Sequence, residues 1–207
     1  MTVPTVLITG FGPFPGAPFN PSGPLAQALA RRRRPALAEA RRIAHVFPTS
    51  YAAVDRELPE LLARHRPDVV LMLGLAARTP FVRIESRARN ARSVLFADAE
   101  GRLPAARAIV PGGPSSLRPD LPGARLLVAA RPARVDTRLS RDAGRYLCNY
   151  AYWRALEAAA AEPARPRVQF VHIPRLRRPG EPGLRPTLAD LVRLGEAVLV
   201  ALVKARR

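Results

Sequence analysis

An α/β fold, with a parallel or mixed sheet wrapped by helices, is predicted by two observations. Strand-like apolar runs alternate with segments of helical periodicity, and the run Val69-Val-Leu-Met-Leu73 is apolar throughout, so both of its faces must be covered. At 207 residues with 48% hydrophobic content, the chain fits one compact domain over 1–207 with a substantial core. In such sheets ligands gather at the carboxyl ends of the strands, so the loops that follow strands are where function is sought.

Val3 to Thr9 reads as the first strand, broken by the loop formers of Gly10-Phe-Gly-Pro-Phe14. Asn20-Pro-Ser22 offers a helix start with Ser or Asn as cap, and a helix over 22–34 follows. Ile43 to Phe47 is a second strand, and Tyr51 to Arg64 a helix carrying Val54, Leu58, Leu61 and Leu62 near one face. After the strand at 69–73, residues 98–123 hold nine Pro and Gly and form an extended excursion. Helix is expected at 121–131, strand at 133–139, helix at 144–161 and strand at 168–173, with a Pro-rich loop over 174–186. Thr187-Leu-Ala-Asp190 is a capping pattern that opens a last helix, whose core stripe is Leu191, Leu194, Val198 and Leu202.

A single cysteine excludes any intramolecular disulfide, and the start of the chain lacks the basic and apolar regions of a secretion signal. A cytoplasmic location is expected. The longest apolar run, Val69 to Ala77, falls far short of the ~20 residues of a membrane span. The net charge of +18 raises nucleic acid as a partner. Its distribution argues otherwise: the basic residues are scattered and nearly all Arg, with no zinc spacing and no aromatic-interleaved basic motif. Arg31 to Arg34 read as a solvated helix end. No Gly-x-x-x-x-Gly-Lys loop is present, which argues against nucleotide hydrolysis.

The cysteine itself stands in Ser140-Arg-Asp-Ala-Gly-Arg-Tyr-Leu-Cys148-Asn-Tyr150, at the expected start of a helix. Backbone N–H groups there favour negative charge, so a thiol that ionises more easily than the free value of about 8.5 is expected. His172, on the strand end Val168-Gln-Phe-Val-His172-Ile-Pro174, is a candidate base, and Glu85 a candidate orienting carboxylate. Three strand ends of a doubly wound sheet can bring these groups together, and such a triad performs acyl transfer. The bland alternative for Cys148 is a small buried hydrophobe.

The motifs resemble those of pyroglutamyl peptidase type I, also called pyrrolidone-carboxylate peptidase, a family of cysteine exopeptidases. The resemblance runs from Leu7-Ile-Thr-Gly-Phe11-Gly-Pro-Phe14 and Asn20-Pro, through Gly74 to Asn90 and Ile109-Val-Pro-Gly-Gly-Pro114, to the segments around Cys148 and His172. It implies an open α/β/α sandwich with a mixed, mostly parallel twisted sheet covered by helices on both faces, commonly assembled as a dimer or tetramer. It also implies removal of an N-terminal 5-oxoproline from peptides through a thioester, requiring neither metal nor cofactor. Cys148 would be the nucleophile, His172 the general base and then acid, and Glu85 the orienter. Phe11, Phe14, Tyr146 and Leu147 would enclose the lactam, and Asn20 and the backbone at Leu75 would bond it. Read without the resemblance, the two phenylalanines are equally core residues and Asn20 a helix cap.

The pattern is broken in places. Leu95 stands where the family has an Arg near the reaction centre, with Arg87 or Arg92 as substitutes; Ser86 stands where a basic residue is usual, and Arg83 where a small hydroxyl residue is usual. Leu95 and the +18 charge define the alternative, a catalytically weak relative acting as a basic binding protein. A cysteine amidase with a shifted substrate is the other variant.

Overall fold

The computed structural model describes residues 3–14, 16–177, 180 and 185–205. In chain order the elements are β1 (Thr5–Phe11), α1 (Ser22–Arg31), β2 (Arg41–Phe47), α2 (Tyr51–His65), β3 (Val69–Leu75), β4 (Val82–Glu85), β5 (Ala88–Arg89), β6 (Ser116–Leu117), α3 (Gly123–Ala130), β7 (Thr137–Ser140), α4 (Leu147–Ala161), β8 (Arg167–Ile173) and α5 (Leu188–Lys204). The main sheet runs β2-β1-β3-β8-β4-β7, and β5 and β6 form a separate antiparallel pair. All neighbours in the main sheet are parallel except β4 and β8. This is the mixed, mostly parallel sheet that was expected.

Two apolar cores flank it. On one face Val6, Ile8, Leu71, Val171 and Ile84 pack against α1, α3 and α5; on the other Leu7, Val70, Met72 and Phe170 pack against α2 and α4. Alternation along each strand sends successive side chains to opposite layers, which accounts for the α/β/α sandwich. Val69 to Leu73 is buried at every position, as its unbroken apolarity requires.

Several expectations shift. The first helix stops at Arg31 rather than 34, with a 3-10 turn following over Pro35–Leu37. Its cap position is Pro21, which makes no side-chain cap bond. Asn20 and Ser22 are used instead to close the loop: Asn20 Oδ1 accepts from the Ser22 N–H and hydroxyl, and Ser22 Oγ accepts from the Phe11 N–H. The strand expected at 133–139 begins only at Thr137, because a 3-10 turn over Arg131–Ala133 continues α3. The capping box at Thr187 and Asp190 is formed, and Leu191, Leu194, Val198 and Leu202 are buried. Within the predicted 174–186 loop, residues 178, 179 and 181–184 lie outside the described residues.

The arginines after α1 are partly engaged. Arg32 and Arg34 both reach the buried Glu196 of α5, at 3.4 and 2.9 Å, so this basic run ties two helices together.

Candidate active site

Register assembles the site. Gly74 of β3 lies beside His172 of β8, and Arg83 of β4 lies on the other side of His172. Glu85 follows Arg83 by two residues and so faces the same side of the sheet. His172 Nδ1 stands 2.8 Å from Glu85 Oε1, a bond in which the ring N–H donates to the carboxylate and leaves Nε2 for proton transfer. Both side chains are buried. The Glu85 backbone is held as well, since its carbonyl accepts from the Gln169 amide at 2.8 Å and the Tyr152 hydroxyl at 3.1 Å.

Cys148 comes from above the sheet, at the second residue of α4. Gly74 makes room for it: a Cβ there would stand 2.8 Å from Cys148 Sγ and 2.7 Å from the Phe170 ring. Asn149 fixes the start of α4. Its Oδ1 accepts from the Arg89 N–H at 2.8 Å, and its Nδ2 donates to the carbonyls of Arg89 and Ala91 at 2.9 and 2.8 Å. Gly74, Asn149 and Gln169 carry positions rather than chemistry. Gly74 and Asn149 fall inside motifs quoted from the sequence, but only the packing reveals what they do.

The ionisation expected of the thiol is corrected by the structure. Burial pushes the Cys148 thiol up to about 12, with the Glu85 charge adding to the rise, while Arg83 and the backbone N–H pull the other way. A helix start is present, but desolvation outweighs it. Burial also holds His172 below its ordinary value, opposed by its bond to Glu85. Without a ligand, burial favours the neutral forms of both groups, and in such a pairing a base removes the proton as sulfur attacks.

Cys148 and His172 line one cavity of about 210 Å³ together with Phe11, Phe14, Asn20, Leu75, Tyr146 and Leu147. Every predicted site residue thus faces this space except Glu85, which is fully buried and bonded to His172. The walls are aromatic and aliphatic, and the Phe14 and Tyr146 rings lie 6.4 Å apart. Asn20 also donates through Nδ2 to the Gly12 carbonyl at 3.0 Å. One of its two amide hydrogens is committed there, and the other is left for a ligand.

Leu95 is 79% exposed and does not line the cavity. Neither substitute named for it does: Arg87 Nε donates to the Arg141 carbonyl, and Arg92 Nε to the Ala106 carbonyl, each at 2.8 Å. The guanidinium that does line the cavity is that of Arg83, with Nε 3.2 Å from Glu85 Oε1 and Nη2 3.2 Å from His172 Nδ1. The loop bearing Leu95 is anchored beyond it. Buried Asp98 accepts from the N–H of Tyr51, the first residue of α2, at 3.0 Å, where the helix dipole favours a carboxylate, and Tyr146 Oη donates to the Ala97 carbonyl at 2.8 Å. Among the described residues, no group of three or more His, Cys, Asp or Glu side chains is placed to hold a metal ion, and no helix is long and apolar enough to cross a membrane.

Comparison with known proteins gives the family and the fold. A family model described as pyroglutamyl peptidase matches residues 4–181. Pyrrolidone-carboxylate peptidase 1 of Ralstonia nicotianae is 34% identical over 208 residues, covering 99% of this chain and 95% of that protein. A pyrrolidone-carboxylate peptidase of Thermococcus onnurineus is 31% identical, covering 97% and 99%. A crystal structure of pyrrolidone carboxyl peptidase from Pyrococcus furiosus, 24% identical, superposes with a TM-score of 0.88 over 98% of this chain and all of that one, which shows a shared fold.

Proposed function

This chain belongs to the pyroglutamyl peptidase family, and we propose that it removes N-terminal pyroglutamate from peptides with Cys148 as nucleophile, His172 as base and acid, and Glu85 as the group that orients His172. The observation that carries these roles is the 2.8 Å contact of His172 Nδ1 with buried Glu85, on a histidine that shares its cavity with the only cysteine in the chain.

His172 Nε2 takes the thiol proton as Sγ bonds to the carbonyl carbon that follows the lactam. The tetrahedral adduct then collapses, the C–N bond breaks, and His172 returns the proton to the departing amine. Water attacks the resulting thioester with His172 again as base, the C–S bond breaks, sulfur recovers its proton, and pyroglutamate leaves as the acid. Backbone N–H groups at the start of α4 are suited to the oxyanion, and one such donor is typically worth about 3 kcal/mol. An uncharged lactam needs apolar walls and a few amide partners. Phe11, Phe14, Tyr146 and Leu147 serve as the walls, and the free Asn20 amide hydrogen and the backbone at Leu75 as the partners. The proposal extends, on the family resemblance, to one domain over 1–207 assembled as a homo-oligomer, and to a cytoplasmic enzyme.

Release of a fluorescent amine from a pyroglutamyl amide tests the reading. Wild type is expected to hydrolyse it and to leave the prolyl amide intact. Cys148→Ser is expected to lose about 10³-fold or more, because a hydroxyl is a far weaker nucleophile than a thiolate at this base. Full activity in Cys148→Ser would remove the thiol from the mechanism. Hydrolysis of another amide in preference to the pyroglutamyl one would move the reading to a cysteine amidase. The basic-binding alternative is not favoured, since the nucleophile, base and orienter are all retained, and Arg32 and Arg34 of its densest basic run are paired with Glu196.

A further inference from the structure

We infer that Arg83 is the cation of this reaction centre: its guanidinium holds Glu85 against His172 and draws negative charge into the cavity, first the Cys148 thiolate and then the carboxylate of the released acid. The inference rests on the assignment of Cys148 and His172 given above.

Geometry carries it. The antiparallel pairing of β4 with β8 places Arg83 directly beside His172. Its side chain is 22% exposed, against 0% for Glu85, so it spans from the buried carboxylate to the cavity it lines. Nδ1 of His172 has a single bonding position. If that position donates its hydrogen to Glu85 Oε1, it cannot accept from Arg83 Nη2 as well. The close approach therefore means that the guanidinium and the imidazole share one carboxylate oxygen. Glu85 Oε2 and Arg83 Nε are both buried without a hydrogen bond, so Arg83 meets Oε1 as an ion pair at 3.2 Å and Oε1 carries the whole arrangement.

The ionisable groups that Arg83 meets are Glu85 on its own strand, His172 on β8 and Cys148 on α4, with Tyr152 of α4 acting on Glu85 and Asp142, in the loop before α4, on His172. Arg138, beside Arg83 on β7, is turned away onto the Phe81 ring at 3.9 Å and onto Asp136. Among the described residues, Arg83 is thus the guanidinium that lines the cavity and is available to an anion there. A half-neutralised Glu85 is a weaker partner for an imidazolium, while a nearby cation is a better one for a thiolate and for the new carboxylate.

The lone cysteine makes the test specific, because alkylation reads Cys148 alone. The ratio of its rate constants with iodoacetate and iodoacetamide at one pH cancels the thiolate fraction and leaves the local charge. That ratio is expected to fall about fivefold in Arg83→Gln and to be largely kept in Arg83→Lys, the size expected for one charge a few ångströms away at a partly solvated site. The acid limb of kcat/KM should also move to higher pH in Arg83→Gln, since removing a cation makes protonation of His172 easier. A folded Arg83→Gln with the wild-type ratio overturns the inference. Wild type alone gives a second check that needs no folded variant: free pyroglutamate should protect Cys148 from iodoacetamide better than pyroglutaminol, its uncharged and non-hydrolysable alcohol, does, and equal protection also overturns it. Alkylated enzyme that still hydrolyses the pyroglutamyl amide would instead overturn the role of Cys148.

Discussion

The two faces of one sheet have different chemistry although the same strands build both. Beneath α1, α3 and α5 the strands present Val6, Ile8, Leu71, Val82, Ile84, Val171 and Ile173, a wholly aliphatic layer. Beneath α2 and α4 the same strands present Leu7, Val70, Met72 and Phe170, and then, toward the carboxyl ends of β3 and β8, Gly74 and His172, with Arg83 and Glu85 alongside on β4. In the aliphatic layer the buried Glu196 of α5 is met at the edge by Arg32 and Arg34. The other layer accepts a buried carboxylate and histidine, whose desolvation is offset by the bond between them and by the ion pair of Glu85 with Arg83. Adjacent residues of β4 therefore do different work, and the difference can be read by changing them one at a time.

Glu85 and Ile84 give the largest contrast. Glu85→Gln keeps the shape, and its carbonyl can still accept from His172, but the amide nitrogen takes the place of Oε2, a buried position that makes no hydrogen bond. With the charge gone, the imidazolium formed during attack loses its partner. The kcat is expected to fall about 10²–10⁴-fold, the range of a general acid–base contribution. Ile84→Ala, one residue earlier and fully buried on the aliphatic side, should cost about 2–5 kcal/mol of stability. Measured well below its melting temperature, it should keep most of its kcat. Denaturant unfolding and steady-state kinetics on both variants check the pair; equal kinetic losses would mean that the two faces are not separable.

Gly74→Ala probes where the layers meet. An added Cβ 2.8 Å from Cys148 Sγ and 2.7 Å from the Phe170 ring forces one of them to move. Overpacking of this kind costs about 1–3 kcal/mol, and a displacement of the nucleophile by about 1 Å is worth roughly 10²-fold in rate. The expected signature is a drop in kcat with KM little changed, because the thiol moves while the lactam walls remain. A variant with wild-type kcat would show that Phe170 alone gives way.

The same contrast explains what was legible in the sequence. Elements whose pattern is set by burial in one layer were readable: the unbroken apolar run of β3, and α5 with its capping box and leucine stripe, lie where their sequences place them. Val82-Arg-Ile-Glu85 is harder to read as a strand, because its second face, Arg83 and Glu85, is charged although it is turned toward the site, and its antiparallel pairing with β8 is a tertiary fact. Cys148, His172 and Glu85 could be named from residue type and motif, but not their ionisation. The helix start beside the thiol is visible in the sequence, whereas the burial of the thiol is a tertiary fact, and burial raises the thiol rather than lowering it. Arg83 stood out only as a departure from a pattern. Its partners lie two residues away on β4 and across the sheet on β8, and only register joins all three.

The smallest effect is expected farthest from the chemistry. Thr187 accepts from the Asp190 N–H at 3.2 Å, and Asp190 Oδ2 accepts from the Thr187 N–H at 2.8 Å, a reciprocal pair that satisfies two groups at the start of α5. α5 packs only on the aliphatic face, through Leu191, Leu194, Val198 and Leu202. Thr187→Ala should cost about 1 kcal/mol, which for a chain of this length lowers Tm by roughly 2–4 °C. Its kcat and KM should match wild type below the transition, since no residue of α5 lines the catalytic cavity. A kinetic change without a change in Tm would mean that the aliphatic layer transmits strain through the sheet to His172, and the independence of the two faces would then have to be given up.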